Sequence, residues 1–375
     1  MPHGTPPSLY ENIDHLLKAA NVPGCAIAVV DRGGLLWADA FGFADLETGK
    51  AAEASTLYRL YSGTKLFTAT AVLQLIERGL VRLEASAATY LPTGGLPPDI
   101  SILHLLSHRS GLRDTLRAFL AVTFPPAEAP TTAQALAAYH LKAARRPGTR
   151  VEYRNVNYAL LGDVVARVSG LDYKDYVTQN ILAPLHMSAS FALGEATRPN
   201  AAIGYIGRWD PMRLALRALL PGVTKRLYGA RAGTLIALNE FTLNSAAIGG
   251  LIGSVVDFAR FLRAHLAEGS AILGAGATRK MQTMIATGAA GVESRLGVGL
   301  GWKIGRVGDR LFLNHEGGGP GFTSELRLYP ESDLGIALAM NVMRVPATMR
   351  LAHRICEDVL GERSKLDRRH PEAAK

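Results

Sequence analysis

Ser62-Gly63-Thr64-Lys65 places a hydroxyl and an amine three residues apart, where a short extended segment (57–61) gives way to a helix expected over residues 62–79. Residues at that spacing share one helix face, with Cβ atoms roughly 5–6 Å apart, so the amine can reach the hydroxyl. A serine at a helix N-terminus also sits among unpaired backbone N–H groups and the positive end of the helix dipole, which favour an anion. If partial burial and nearby cations lower the pKa of Lys65, its neutral amine can take the Ser62 proton and the alkoxide can attack a carbonyl. The pattern alone is common, and an ordinary helix cap with a solvent-facing lysine competes with it. The flanks favour chemistry. Leu66, Ala69, Val72, Leu73, Leu75 and Ile76 make this helix apolar almost all round, and a lysine one turn into a buried helix needs a polar partner. Ser62 is the nearest.

Tyr153-Arg154-Asn155 forms a second polar group, just before a helix expected over 156–168. A phenol has a high reference pKa, and acts as a base only when cations such as Lys65 hold it close to phenolate. Asn155 offers a donor and an acceptor to a substrate amide. A packed tyrosine followed by a capping asparagine is the competing explanation. The third element is His315-Glu316-Gly317-Gly318-Gly319-Pro320-Gly321-Phe322. Glycines let a substrate approach a strand closely, and spare N–H groups on such an edge bind an oxyanion. A plain glycine-rich hairpin competes here. A phosphate loop is excluded, because no Lys-Ser/Thr follows and no helix begins there.

The three segments together resemble the serine β-lactamase and penicillin-binding-protein superfamily, which carries Ser-x-x-Lys, a second polar motif and Lys-Thr-Gly. The likeness is to the class C-like branch, with its family VIII esterases and D-aminopeptidases, where the second motif is Tyr-x-Asn and some members carry His-x-Gly third. Further similar stretches are Val22-Pro23-Gly24, 102–112 (ILHLLSHRSGL), 158–162 (YALLG), Gly249-Gly250-Leu251 with Asp257, and 299–302 (GLGW). The resemblance implies that Ser62 is acylated, that Lys65 and Tyr153 move its proton, and that Asn155, His315, Gly317 and Gly318 meet the substrate. It also implies an oxyanion hole from the N–H groups of Ser62 and Gly318. His315 departs from the lysine of true class C enzymes. A neutral imidazole holds a substrate carboxylate poorly, which counts against strong β-lactamase activity and leaves ester hydrolysis. The expected function is therefore a carboxylesterase on short-acyl esters, without a cofactor and acting on a small ester or amide. D-amino peptidase or amidase, weak β-lactamase, acyltransferase, a non-turnover penicillin or peptidoglycan sensor, and a non-catalytic scaffold remain as alternatives.

These motifs need elements to hold them. Helical spacing over 7–21 precedes a hairpin of strands 25–30 and 35–42, turned at Asp31-Arg32-Gly33-Gly34. The middle reads as helices at 102–108, 132–142, 156–168, 173–182 and 255–267. Short strands return at 299–304, 311–314, 324–329 and 335–340, before an amphipathic helix over 346–360. Strands at both ends with helices between predict an α+β fold. Its antiparallel sheet is flanked by N- and C-terminal helices and has an all-helical domain inserted. Expected boundaries are 1–80 with 285–362 for the split α/β part, 81–284 for the helical part, and a disordered tail at 363–375.

Composition bounds the rest. The 375 residues are 48% hydrophobic and 19% charged, which excludes wholesale disorder. No run reaches the roughly 18 uncharged apolar residues of a spanning helix, and the charge-free stretch 241–256, broken by Asn, Ser and Gly, reads as a buried turn region. The first residues lack a secretory leader, pointing to the cytoplasm unless a leader was removed. Cys25 and Cys356, each in an apolar pattern, read as buried free thiols. The net charge of +9 gathers at 145–154, 208–231 and 363–375. It comes without a nucleic-acid-binding motif, so no nucleic acid partner is expected. Nothing in the pattern sets an oligomeric state. His104 and His108 have the spacing of two zinc ligands but no glutamate or third ligand, so core or capping histidines are expected and no metal. There is no Gly-x-Ser-x-Gly elbow. The segment 209–227 alternates apolar residues with Arg213, Arg217, Lys225 and Arg226, either a surface helix or a lid.

Overall fold

A computed structural model describes residues 7–91, 95–115, 122–124, 134, 136, 139, 141–267, 269–288 and 295–369. A nine-stranded antiparallel sheet forms its centre. From edge to edge it runs Ala286–Thr287, Arg295–Val298, Lys303–Val307, Arg310–Gly319, Phe322–Tyr329, Leu334–Met340, Gly24–Val30, Leu35–Asp45 and Lys50–Ala51. The N-terminal strand Gly24–Val30 lies between its hairpin partner and the C-terminal strand Leu334–Met340, so both chain ends complete one sheet.

Side chains on a strand alternate between faces, and here each face meets a different core. Ala26, Ala28, Ala337 and Ala339 lie in the core that holds the helices Thr64–Glu77 and Val255–Leu266. Ile27, Val29, Ile336 and Leu338 face the terminal helices, beside Ile13, Leu17, Leu351 and Ile355. Small residues on the first face let a helix approach closely. Cys25 and Cys356 are buried and free, the state their apolar surroundings predict.

Several elements differ from the pattern-based expectations. The middle of the chain is not wholly helical. Tyr205–Gly207, Leu235–Leu238 and Tyr228–Ala232 form a three-stranded antiparallel sheet, turned at Gly233 with φ +60°. Residues 299–302 are a turn, with Gly301 at φ +90°, between the strands Arg295–Val298 and Lys303–Val307. The strand expected at 311–314 continues through Gly319. The helix expected at 62–79 opens with a 3-10 turn, Tyr61–Gly63, before the α-helix Thr64–Glu77. Residues 173–182 divide into the α-helix Tyr173–Val177 and a π-helical turn, Thr178–Leu182. The last helix runs Val345–Arg369, past the end expected at 360 and into the segment expected to be disordered. Glu362, Arg363, Lys365 and Leu366 are strong helix formers, so the charge that suggested a frayed tail does not stop the helix. The helix expected at 132–142 lies largely outside the described residues.

Glu325 and Arg327 are fully buried in the sheet. Arg327 donates from Nε to one Glu325 oxygen at 2.8 Å, with Nη2 2.7 Å from the same oxygen in an ion pair, and Asn314 donates to that oxygen at 3.0 Å. Removing one member of such a pair strands a buried charge. Arg327→Met is expected to lower unfolding stability by about 3–5 kcal/mol, measured by urea titration, whereas Glu325→Leu with Arg327→Met stays near wild type.

Candidate active site

Ser62 stands at the tip of the central helix. Tyr61, just before it, is held in the left-handed region at φ +46°, which costs an L-residue about 1–2 kcal/mol. The Tyr61 hydroxyl donates to the Pro320 carbonyl at 2.5 Å, and the Tyr61 ring lies where a Gly319 side chain would stand. Backbone strain is thus locked by the glycine strand Arg310–Gly319. That strand pairs with Lys303–Val307 only as far as Asn314, so beyond it residues 315–319 turn an edge toward Ser62 that this neighbour leaves unpaired.

Lys65 is fully buried. Its Nζ lies 3.0 Å from Ser62 Oγ and donates to the Ile248 carbonyl at 2.9 Å. Burial, reinforced by the Lys303 ammonium, pushes the amine down to about 7, against the opposing pull of Asp114 and Glu316. The segment around Ile248 is clamped to the helix. Thr68 Oγ1 donates to Ala247 O at 2.8 Å, and Leu251 N–H donates to Thr64 Oγ1 at 3.2 Å. The charge-free stretch 241–256 therefore positions the lysine.

The second motif arrives on the helix Asn155–Ser169. Asp114 caps it, accepting from Asn155 N–H at 2.9 Å and Val156 N–H at 2.8 Å, a carboxylate at the positive end of a helix dipole. Tyr153 precedes the helix, with two ammonium groups near its ring: Lys65 Nζ at 5.1 Å and Lys303 Nζ at 4.9 Å from the centroid. The Tyr153 hydroxyl lies 3.5 Å from His315 Nε2. His315 Nδ1 is 2.7 Å from the Gly301 carbonyl, which only accepts, so Nδ1 carries the proton and Nε2 faces Tyr153 with its lone pair. Burial first, then Lys303, holds the His315 pKa well below the ordinary histidine value. Its imidazole is neutral.

Ser62, Tyr153, His315 and Gly318 line one cavity of about 800 Å³, with Lys303, Glu316, His108 and Trp302. Asn155 and Gly317, both expected to meet substrate, are not on that wall. Asn155 opens its helix half-buried, and Gly317 packs where a Cβ would strike the Leu60 carbonyl at 2.1 Å. Gly317 thus lets the glycine strand close on the turn that carries Ser62.

Two wall residues beside Tyr153, Lys303 and His108, had no site role expected from the sequence. Lys303 stands opposite Asn314 on the neighbouring strand and forms an ion pair with Glu316. Only the strand register, read with the turn at 299–302, could have placed it. The His108 ring lies against Tyr153, tilted 36° to it with centroids 4.5 Å apart. Its Nδ1 accepts from Arg154 N–H and Asn157 Nδ2, both at 3.2 Å, which puts the proton on Nε2, an atom with no hydrogen-bond partner among the described residues. His104 instead caps its own helix, taking Ser101 N–H on Nδ1 at 3.2 Å. Among the described residues no group of His, Cys, Asp or Glu is arranged to hold a metal. Nor is any helix among them long and apolar enough to cross a membrane.

A glycine-bearing sheet edge over a Ser-x-x-Lys helix tip is the arrangement of the β-lactamase and transpeptidase fold. Residues 9–356 match the family model described as Beta-lactamase, and the chain belongs to that family of serine hydrolases. Among solved structures it is similar to the octameric penicillin-binding protein homologue from Pyrococcus abyssi, with TM-score 0.80 and 25% identity over 94% of this chain and 77% of that one. The D-amino acid amidase from Ochrobactrum anthropi SV3 shares the fold, with TM-score 0.79 and 22% identity over 94% and 99%. Protein flp of Staphylococcus aureus (strain N315) is 31% identical over 199 residues, 52% of this chain and 40% of that protein. The chain thus matches less than half of that relative's length.

Proposed function

We propose that this chain is a carboxylesterase acting on short-acyl esters through an acyl-enzyme at Ser62. The observation that carries it is the buried Lys65 amine, 3.0 Å from Ser62 Oγ and pushed down to about 7, a base poised for neutral pH. The neutral amine takes the hydroxyl proton as Ser62 Oγ bonds to the ester carbonyl. N–H groups of Ser62 and Gly318 meet the developing oxyanion. Collapse expels the alcohol, which receives its proton from Lys65 through Tyr153. Water then loses a proton to the same pair, attacks the acyl carbon and releases the acid. His315 steadies the phenol in this scheme, and it needs no cofactor. A small ester or amide is the partner, at a site in aqueous surroundings such as the cytoplasm.

Ester is favoured over β-lactam because the third motif supplies a neutral imidazole where a substrate carboxylate would need a cation. The fold shared with the Ochrobactrum amidase brings D-aminoacyl amides into the comparison as the competing class. Purified enzyme is expected to turn over 4-nitrophenyl butyrate with kcat/KM on the order of 100-fold above that for nitrocefin or D-phenylalanine amide. Faster turnover of either competitor would overturn the ester assignment, and a burst without steady turnover would point to a sensor.

A further inference from the structure

We propose that Glu316 determines acyl-group specificity: it occupies the Lys303 ammonium that would otherwise take a substrate carboxylate, so the site selects uncharged acyl groups. This inference rests on the Ser62 acyl-enzyme reading and names its substrate class.

Lys303 and Glu316 line the same cavity as Ser62, and their side chains are 12% and 13% exposed. The ion pair is therefore largely shielded from water, which strengthens it. Glu316 is also held from behind, with Asn314 Nδ2 donating to its second oxygen at 3.4 Å. A carboxylate fixed by its own backbone competes for Lys303 at a high effective concentration, and a diffusing substrate must displace it. Glu325, the cross-strand neighbour of Glu316, is already paired with Arg327, so that buried guanidinium is not free to take an incoming anion. The His315 imidazole is neutral and offers no charge in compensation. Of the other cations near this wall, Lys65 is committed to Ser62 and Ile248, and Arg154 pairs with Glu152. Arg150 stands at the wall and enters the test.

Two substrates that differ only in charge report the selection: 4-nitrophenyl hydrogen adipate, with a terminal carboxylate, and neutral 4-nitrophenyl adipamate. Wild type is expected to prefer the adipamate by tenfold or more in kcat/KM. Glu316→Gln exposes Lys303 and is expected to shift that ratio at least tenfold toward the acid. Glu316→Gln with Lys303→Gln, which removes both charges, is expected to fall between. Phosphonate labelling of Ser62 in each variant reports a folded, reactive site. With labelling intact, a wild-type ratio near one, or an unchanged ratio in Glu316→Gln, overturns the role of Glu316. So does an acid preference that disappears in Arg150→Gln, which would place the anion site at Arg150. A wild type that hydrolyses both esters without labelling at Ser62 overturns the serine reading itself, a separate failure.

Discussion

Ser62→Ala is expected to lower kcat/KM for 4-nitrophenyl butyrate by about a thousandfold or more and to abolish labelling by a fluorophosphonate probe. The change removes only an oxygen at a position already held by its neighbours. Tyr61 remains tied to Pro320, and Lys65 keeps the Ile248 carbonyl. Folding should survive, so unfolding midpoints of variant and wild type should agree to within a few degrees. Residual activity would come from the oxyanion donors and binding alone. Equal labelling of variant and wild type would remove Ser62 from the mechanism.

Lys65→Met is expected to move activity and stability in opposite directions. Loss of the general base should reduce kcat by about 10²- to 10⁴-fold. In wild type the base works only when neutral, so kcat/KM should rise with pH up to a shoulder near 7 and stay level above it. That limb should vanish in the variant. Stability follows from the same displacement, because an unfolded lysine titrates near 10.4 and so binds more protons than the native state between about 7 and 10. Lys65 therefore costs stability, with the cost growing as pH falls through that window and constant below 7. Methionine relieves it but leaves the Ile248 carbonyl without its donor, so a net gain of roughly 1–3 kcal/mol is expected at pH 6. Urea titrations at pH 6 and pH 10 check it, with the larger gain expected at pH 6. A variant less stable than wild type at pH 6 would contradict the buried, perturbed amine.

Local spacing made part of this site legible. A Ser-x-x-Lys pair on one helical turn specifies its own geometry, and an apolar helix around it announces burial. The meeting of residues 62, 153 and 315 came from resemblance, since no periodicity links segments so far apart. Interactions made by register and loop packing were not legible. Lys303 reaches the wall through a strand pairing that depends on a left-handed Gly301. His104 and His108 have the spacing of one helix face, but the helix ends at Leu106 and His108 has φ +55°, which sends the two rings to different places. Asp114 caps a helix that begins 41 residues later, an arrangement no local capping pattern discloses. The sheet itself was legible because short runs at both ends of the chain are apolar throughout and bounded by turn residues. The small sheet in the middle was not, because its strands are short and lie among helices.

Mass mapping of the acyl group bears most directly on the nucleophile. Enzyme mixed with 4-nitrophenyl butyrate, quenched in acid during the first turnovers and digested, should carry a butyryl group on the peptide that contains Ser62 and nowhere else. A butyryl group on another residue, or steady hydrolysis with no acylated peptide at any quench time, would contradict it.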